Sequence, residues 1–200
     1  MSYDNGYLPH PQDKMACIRY GEWCEKRFLD AMASKSQLII KLNPEKRKNS
    51  KAIDFYIEGW GYSDLKTQNK PFFTSKRYYG IDPNLAISFN QKDYINYSTY
   101  LAKGIDVCIF FWVDWKQLSD PRLGSTSYRW GVYYLKFSEI KRMIDEQLVR
   151  SHDYQNRKEE GTSEWRKDHG QNNDGNATAS YGLSVDWMEP FLSSKENPWI

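Results

Sequence analysis

Cysteine is scarce in this chain: Cys17, Cys24 and Cys108 are the three among 200 residues. An odd, widely spaced set offers neither a disulfide framework nor the paired ligands of a structural zinc site, so buried thiols are expected. Histidine is as rare, and His10, His152 and His169 all stand in polar segments that read as loose. A His-based triad or zinc centre is therefore not expected. Long apolar runs are missing too. The longest, Val107 to Val113, has seven residues, where a membrane-crossing helix needs about 20. The opening Met1-Ser2-Tyr3-Asp4-Asn5-Gly6 has neither the basic start nor the apolar stretch of a secretory signal, and a cytoplasmic location is expected. In that compartment the sequons at Asn96 and Asn176 carry no glycosylation argument. With no GxxxxGK[ST] loop and no GxGxxG fingerprint, the common NTPase and dinucleotide-enzyme templates drop out.

What is present is a foldable composition, 40% hydrophobic, 16% aromatic and 27% charged. A chain of this length suits one domain that buries roughly 70% of its unfolded surface without staples. The net charge of +2 hides a basic stretch: residues 41–77 carry nine Lys or Arg against four acids, a local +5. Positive charge gathered in one segment is the electrostatic footprint of a polyanion partner, although a solvated loop is the commoner reason for a run such as Glu45-Lys46-Arg47-Lys48.

The patterning predicts a core at about 20–150, a polar insertion at 151–180 and a C-terminal return segment at 181–200. After a polar arm (1–14), Cys24, Phe28, Ala31 and Met32 recur at helical spacing, predicting a helix from Tyr20 to about Ser36. A short strand at 37–42 precedes a basic loop at 43–51. Ala52 to Ile57 and Tyr62 to Gln68 alternate with period two, and Gly59 and Gly61 between them mark a hairpin turn. Lys70 to Tyr79 reads as further strand, Asn90 to Lys103 as a helix ended by Gly104, and Ile105 to Trp112 as a strand buried on both faces. A strand at 130–137 and a helix with Ser138 as N-cap, running to about Arg150, follow. The fold class is α/β, a mixed central sheet flanked by helices.

The hairpin carries the chemistry. If Ile57 pairs with Gly61, Asp54 falls opposite Asp64, with Cβ atoms about 4.5–5.5 Å apart. Asp64, Lys66 and Gln68 share one strand face, and Asp54 joins it from the neighbouring strand. Carboxylates held this close repel unless positive charge lies between them, and a hard divalent cation supplies it. The chain has two other acid-x-Lys triplets, Asp114-Trp115-Lys116 and Glu139-Ile140-Lys141, but neither has an acid brought opposite by a turn. A solvated cross-strand cluster is the plain alternative for Asp54, Asp64 and Lys66.

Helix, strand, acid-bearing strand, strand with acid-x-Lys, helix, strand: in this order between Tyr20 and Val113 the chain resembles the PD-(D/E)XK nuclease superfamily with its restriction-endonuclease-like fold. Ile53 stands where the nominal motif has Pro, and Asp64 where Glu is commoner. The resemblance implies a nuclease whose Mg²⁺ or Mn²⁺ is ligated by Asp54, Asp64 and the Leu65 carbonyl. Glu25, or alternatively Glu22, would assist from the first helix. Lys66 would orient and help deprotonate the attacking water, and Gln68 would hold that water or a phosphate oxygen, unless it is an ordinary strand residue. Lys46, Arg47, Lys48, Lys70, Lys76 and Arg77 would grip the backbone of a nucleic acid, DNA above all, and Trp60, Tyr62, Tyr78 or Tyr79 would stack on bases. No membrane partner is expected, and assembly into a homodimer is left open. The rival reading is a nuclease-like domain that binds nucleic acid or a protein without cutting.

Overall fold

The computed structural model describes residues 14–35, 38–49, 51–115, 118–153 and 179–192. Along the chain these form α1 (Lys14–Lys35), β1 (Ile40–Leu42), β2 (Phe55–Ile57), β3 (Gly61–Gln68), α2 (Ser75–Tyr78), β4 (Ala86–Asn90), α3 (Gln91–Leu101) and β5 (Cys108–Asp114). There follow β6 (Ser119–Asp120), β7 (Gly124–Ser125), β8 (Trp130–Lys136), α4 (Phe137–Asp145), β9 (Ser151–Asp153), β10 (Ala179–Ser184) and β11 (Glu189–Leu192). The central sheet has six strands in the order β1-β2-β3-β5-β8-β11. Only β3 and β5 run parallel; the other neighbours are antiparallel. A smaller sheet has the order β4-β10-β9. The domain is thus α/β, with a mixed central sheet flanked by helices.

The seven-residue apolar run explains the layering. Side chains alternate across a strand, so Cys108, Phe110 and Trp112 of β5 enter one core while Ile109, Phe111 and Val113 enter another on the opposite face. α1 covers the first core, presenting Tyr20, Cys24, Phe28 and Met32 at intervals of four, the stripe its spacing predicts. α3, α4 and the small sheet cover the second core through Tyr97, Phe137, Ile140, Phe89 and Leu183.

The hairpin has the expected register: Ile57 pairs with Gly61, Tyr56 with Tyr62 and Phe55 with Ser63. Gly59 and Gly61 adopt φ of +79° and +88°, left-handed values that a side chain disfavours. The alternation expected over 52–57 holds only from Phe55 onward. Phe55 and Ile57 enter the α1 core, but Ile53 packs in the opposite one, because regular strand geometry begins after Asp54.

Several elements depart from the sequence reading. α1 begins at Lys14, earlier than Tyr20. Residues 70–79 are loop and the short helix α2 in place of a strand. Pro71 has no N–H for a ladder, and the Ser75 hydroxyl donates to the Ile81 carbonyl at 2.8 Å, closing the turn. α4 starts at Phe137 and ends at Asp145, short of Arg150. Ser138 is not its cap: the Asp106 carboxylate accepts from the Ser138 N–H at 3.0 Å and from its hydroxyl at 2.8 Å, a partner 32 residues away in sequence. The return segment divides, β10 joining the small sheet and β11 the central one. The expected insertion begins and ends in the paired strands β9 and β10, and its remainder, 154–178, lies outside the described residues, as do the arm at 1–13, His10, His169 and residues 193–200. His152 is a β9 residue, its ring stacked on Tyr78 at 3.7 Å.

Candidate active site

Because β2 and β3 pair in this register, Asp54, immediately before β2, comes beside Asp64, and each carboxylate is tied to the backbone of the opposite segment. Asp54 Oδ2 accepts from the Leu65 N–H at 3.1 Å, and Asp64 Oδ1 accepts from the Asp54 N–H at 3.3 Å. Both residues are buried, at 7% and 4% exposure. Leu65 turns into the α1 core while Asp64 and Lys66 turn toward α3. The Lys66 ammonium lies 2.9 Å from Asp64 Oδ2.

Four further groups complete the cluster. Lys46 is bonded to Asp54 Oδ1, and its ammonium lies 2.5 Å from Glu25 Oε1. Of the two helix acids, Glu25 reaches the cluster, whereas Glu22 is exposed. α3 supplies the other two, Asp93 and Tyr97, spaced by four and so on one helix face. Asp93 Oδ1 is 3.2 Å from the Lys66 ammonium, and the Tyr97 hydroxyl donates to Asp64 Oδ2. The ammonium also stands 5.4 Å from the centre of the Tyr97 ring. The sequence reading missed both residues. Nothing local signals them, since α3 reaches Lys66 only through the fold.

Gln68 has a different task from the one expected. Its amide nitrogen donates to the Ala86 carbonyl at 2.9 Å, and its amide oxygen accepts from the Ser88 N–H at 3.1 Å. With both ends engaged by β4, Gln68 clamps that strand to β3, and β4 leads directly into α3. Through β4 it helps to place Asp93 and Tyr97.

The electrostatics follow from this packing. Burial, and next the charge of Asp64, push the Asp54 carboxyl above the ordinary range, against the opposing pull of Lys46. Burial acts in the same upward direction on Asp64, but the Lys66 charge and the hydrogen bonds from its neighbours outweigh it and hold the carboxyl low. Burial would lower Lys66; Asp64 above all, with Tyr97 and Asp93, holds it well above the usual lysine value. An ammonium held in this way is suited to orient a ligand and to stabilise negative charge.

Glu25, Asp54, Asp64 and Asp93 face two cations, Lys46 and Lys66, so the cluster carries a formal charge of −2. Among the described residues no group of three or more His, Cys, Asp or Glu is arranged to cage a metal. The two aspartates nevertheless fit a hard divalent ion, which commonly uses one or two carboxylates and keeps several waters. A carboxylate has about four lone-pair sites. Asp64 Oδ2 already serves Tyr97 and Lys66, which leaves Oδ1 and the Asp54 oxygens as the donors with capacity to spare.

The cluster lies in a cleft of about 860 Å³, whose walls also include Lys51, Lys92, Ile95, Asn96 and Thr99. Lys51 and Lys92 are exposed and put positive charge on a rim whose interior is negative. Of the six residues expected to grip a backbone, only Lys46 lines this cleft, and its ammonium is turned inward. Arg47, Lys48, Lys76 and Arg77 are exposed elsewhere and Lys70 is half-buried. The expected stacking aromatics are engaged within the protein. Trp60 packs on Phe110, Tyr134 and Phe191, and Tyr62 on Tyr56 and Tyr100. Tyr78 stacks on His152, and the buried Tyr79 hydroxyl is bonded to Ser180 at 2.6 Å.

The chain matches no known family model and no curated protein sequence. Among solved structures it is similar to D212, a nuclease from a fusselovirus, with 9% identity, 95% of this chain and 91% of that chain covered, and a TM-score of 0.38. Neither that identity nor that superposition is high enough to assign a family or a role.

Proposed function

We propose that the protein is a metal-dependent nuclease of the PD-(D/E)XK type, hydrolysing phosphodiester bonds, in DNA above all. The observation that carries the reading is the convergence of Asp54, Asp64 and Lys66 on one cleft, in the register the hairpin dictates. Asp54, Asp64 and the Leu65 carbonyl would hold Mg²⁺ or Mn²⁺, with Glu25 beside them. Such an ion supplies Lewis-acid stabilisation of phosphate charge and makes a bound water more acidic.

The chain's own residues do the rest. Lys66, kept charged by Asp64 and Asp93, points a cation at the water and at a phosphate oxygen. Tyr97 steadies the Asp64 carboxylate with its hydroxyl and leaves Oδ1 available. Lys51 and Lys92 on the rim meet the flanking phosphates, contacts that position a backbone without reading sequence.

The test is cleavage of a panel of duplex, single-stranded and branched DNA. Wild type should cut with Mg²⁺ or Mn²⁺ and be inert in chelator, and Lys66→Ala should not cut. Cleavage that survives chelator or Lys66→Ala would refute the mechanism, and binding without cleavage by wild type would favour the non-catalytic rival.

A further inference from the structure

Lys46, Arg47 and Lys48 are adjacent in sequence but differ in surroundings. Arg47 and Lys48 are exposed, whereas Lys46 turns its ammonium onto Glu25 and Asp54. The backbone beneath it is fixed. Lys46 belongs to a short 3-10 turn, Pro44–Arg47, preceded by Asn43. The Asn43 N–H donates to the Asp54 carbonyl at 2.9 Å and its side-chain amide to the Ile53 carbonyl at 2.9 Å. The Asn43 carbonyl in turn accepts from the Lys46 N–H at 3.1 Å. One asparagine thus ties the base of Lys46 to the segment that carries Asp54. The long side chain above that base lines the cleft and is 28% exposed.

A single ammonium between two carboxylates is the kind of charge that an incoming divalent cation replaces. The two cannot share Asp54 without strong repulsion, because like charges at contact distance in a partly buried site are poorly screened. Displaced from Asp54, the ammonium is still held at the cleft by its turn and needs an anion, and the anion a nuclease brings there is phosphate. Lysine suits this exchange, being a point charge on a flexible stem.

We infer that Lys46 is an exchangeable counter-ion: it balances Glu25 and Asp54 until a divalent cation occupies Asp54, and its ammonium then binds a phosphate of the nucleic acid. The inference rests on the metal-dependent reading above and adds a coupling between cation and substrate. By linkage, each strengthens the binding of the other through Lys46 by the same factor. Arg47 and Lys48 have no part in that coupling.

The experiment compares wild type with Lys46→Gln, Lys46→Arg and Arg47→Gln. Mn²⁺ is titrated calorimetrically without nucleic acid. A labelled DNA duplex is then titrated by anisotropy, in Ca²⁺ and in chelator, with the DNA checked for intactness afterwards. Lys46→Gln should bind Mn²⁺ about tenfold more tightly, the factor set by losing a competitor worth ~1.4 kcal/mol. It should bind DNA more weakly than wild type in Ca²⁺ and equally well in chelator. Lys46→Arg, which keeps the charge, should stay within about threefold of wild type in both titrations, less than the tenfold that ~1.4 kcal/mol represents. Arg47→Gln should leave Mn²⁺ affinity alone, and any change in its DNA affinity should be the same in both solutions. Unchanged or weaker Mn²⁺ binding by Lys46→Gln, or equal loss of DNA binding with and without Ca²⁺, would overturn the exchange. A wild type that binds no Mn²⁺ would instead overturn the metal-dependent reading itself.

Discussion

Replacing Tyr97 by Phe removes one oxygen atom and isolates the contribution of α3 to the site. The ring contacts, 6.1 Å to Phe89 and 5.5 Å to Phe137 between centroids, are retained. What is lost is the hydroxyl that donates to Asp64 Oδ2. Tyr97 is 1% exposed and Asp64 4%, so water does not readily take the vacated place. A hydrogen bond to a charged group is worth about 1.5–3 kcal/mol. In a domain of this size 1 kcal/mol shifts Tm by roughly 2–4 °C, so Tyr97→Phe should lower Tm by about 3–12 °C. Tyr94→Phe is the internal control: its hydroxyl donates to Asp145 on the surface at 2.6 Å, where solvent replaces the bond, and its Tm shift should be much the smaller. Thermal and urea unfolding monitored by circular dichroism would measure both. A Tyr97→Phe protein within about 1 °C of wild type, an effect well below the ~1.5 kcal/mol expected, would refute the claim that α3 braces Asp64.

Gln68→Ala should cost about 1–3 kcal/mol in urea unfolding, the worth of its two bonds to β4, and should reduce cleavage less than Lys66→Ala does, because both ends of its amide are engaged by β4. Asp54 has a folded-state carboxyl raised by burial and by Asp64. In chelator its contribution to stability is therefore full below the unfolded value of about 4 and is lost as pH rises into the neutral range. Asp54→Asn should flatten that part of a Tm-against-pH curve; an unchanged slope would contradict the raised carboxyl. Gly182→Ala would set a Cβ 2.2 Å from Tyr79 Cγ and should destabilise the small sheet by about 1–3 kcal/mol or more in the same unfolding assay.

The parts of this molecule legible in sequence are those governed by short-range patterning. Two alternating runs around Gly59 and Gly61 imply the hairpin and its register, and with them the neighbourhood of Asp54 and Asp64. The spacing of Cys24, Phe28 and Met32 marks the buried face of α1, and the unbroken run at 107–113 marks the central strand. The rest depends on contacts between distant segments. Asp106 caps α4 across 32 residues, and Tyr97 reaches Asp64 across 33. The same holds for Lys46, which reads as one of three solvated cations until α1 and the segment before β2 bring Glu25 and Asp54 to it. Gln68 shares the strand face of Lys66 as expected, but β4, whose strand was not expected, engages its amide.

The central claim, that Asp54 and Asp64 form a divalent-cation site, is tested most directly by anomalous X-ray scattering from crystals soaked in Mn²⁺. An anomalous peak within bonding distance of both carboxylates in wild type, and its loss in Asp64→Asn, is the predicted result. A peak confined to other surface acids, or none at these two aspartates under millimolar Mn²⁺, would contradict it.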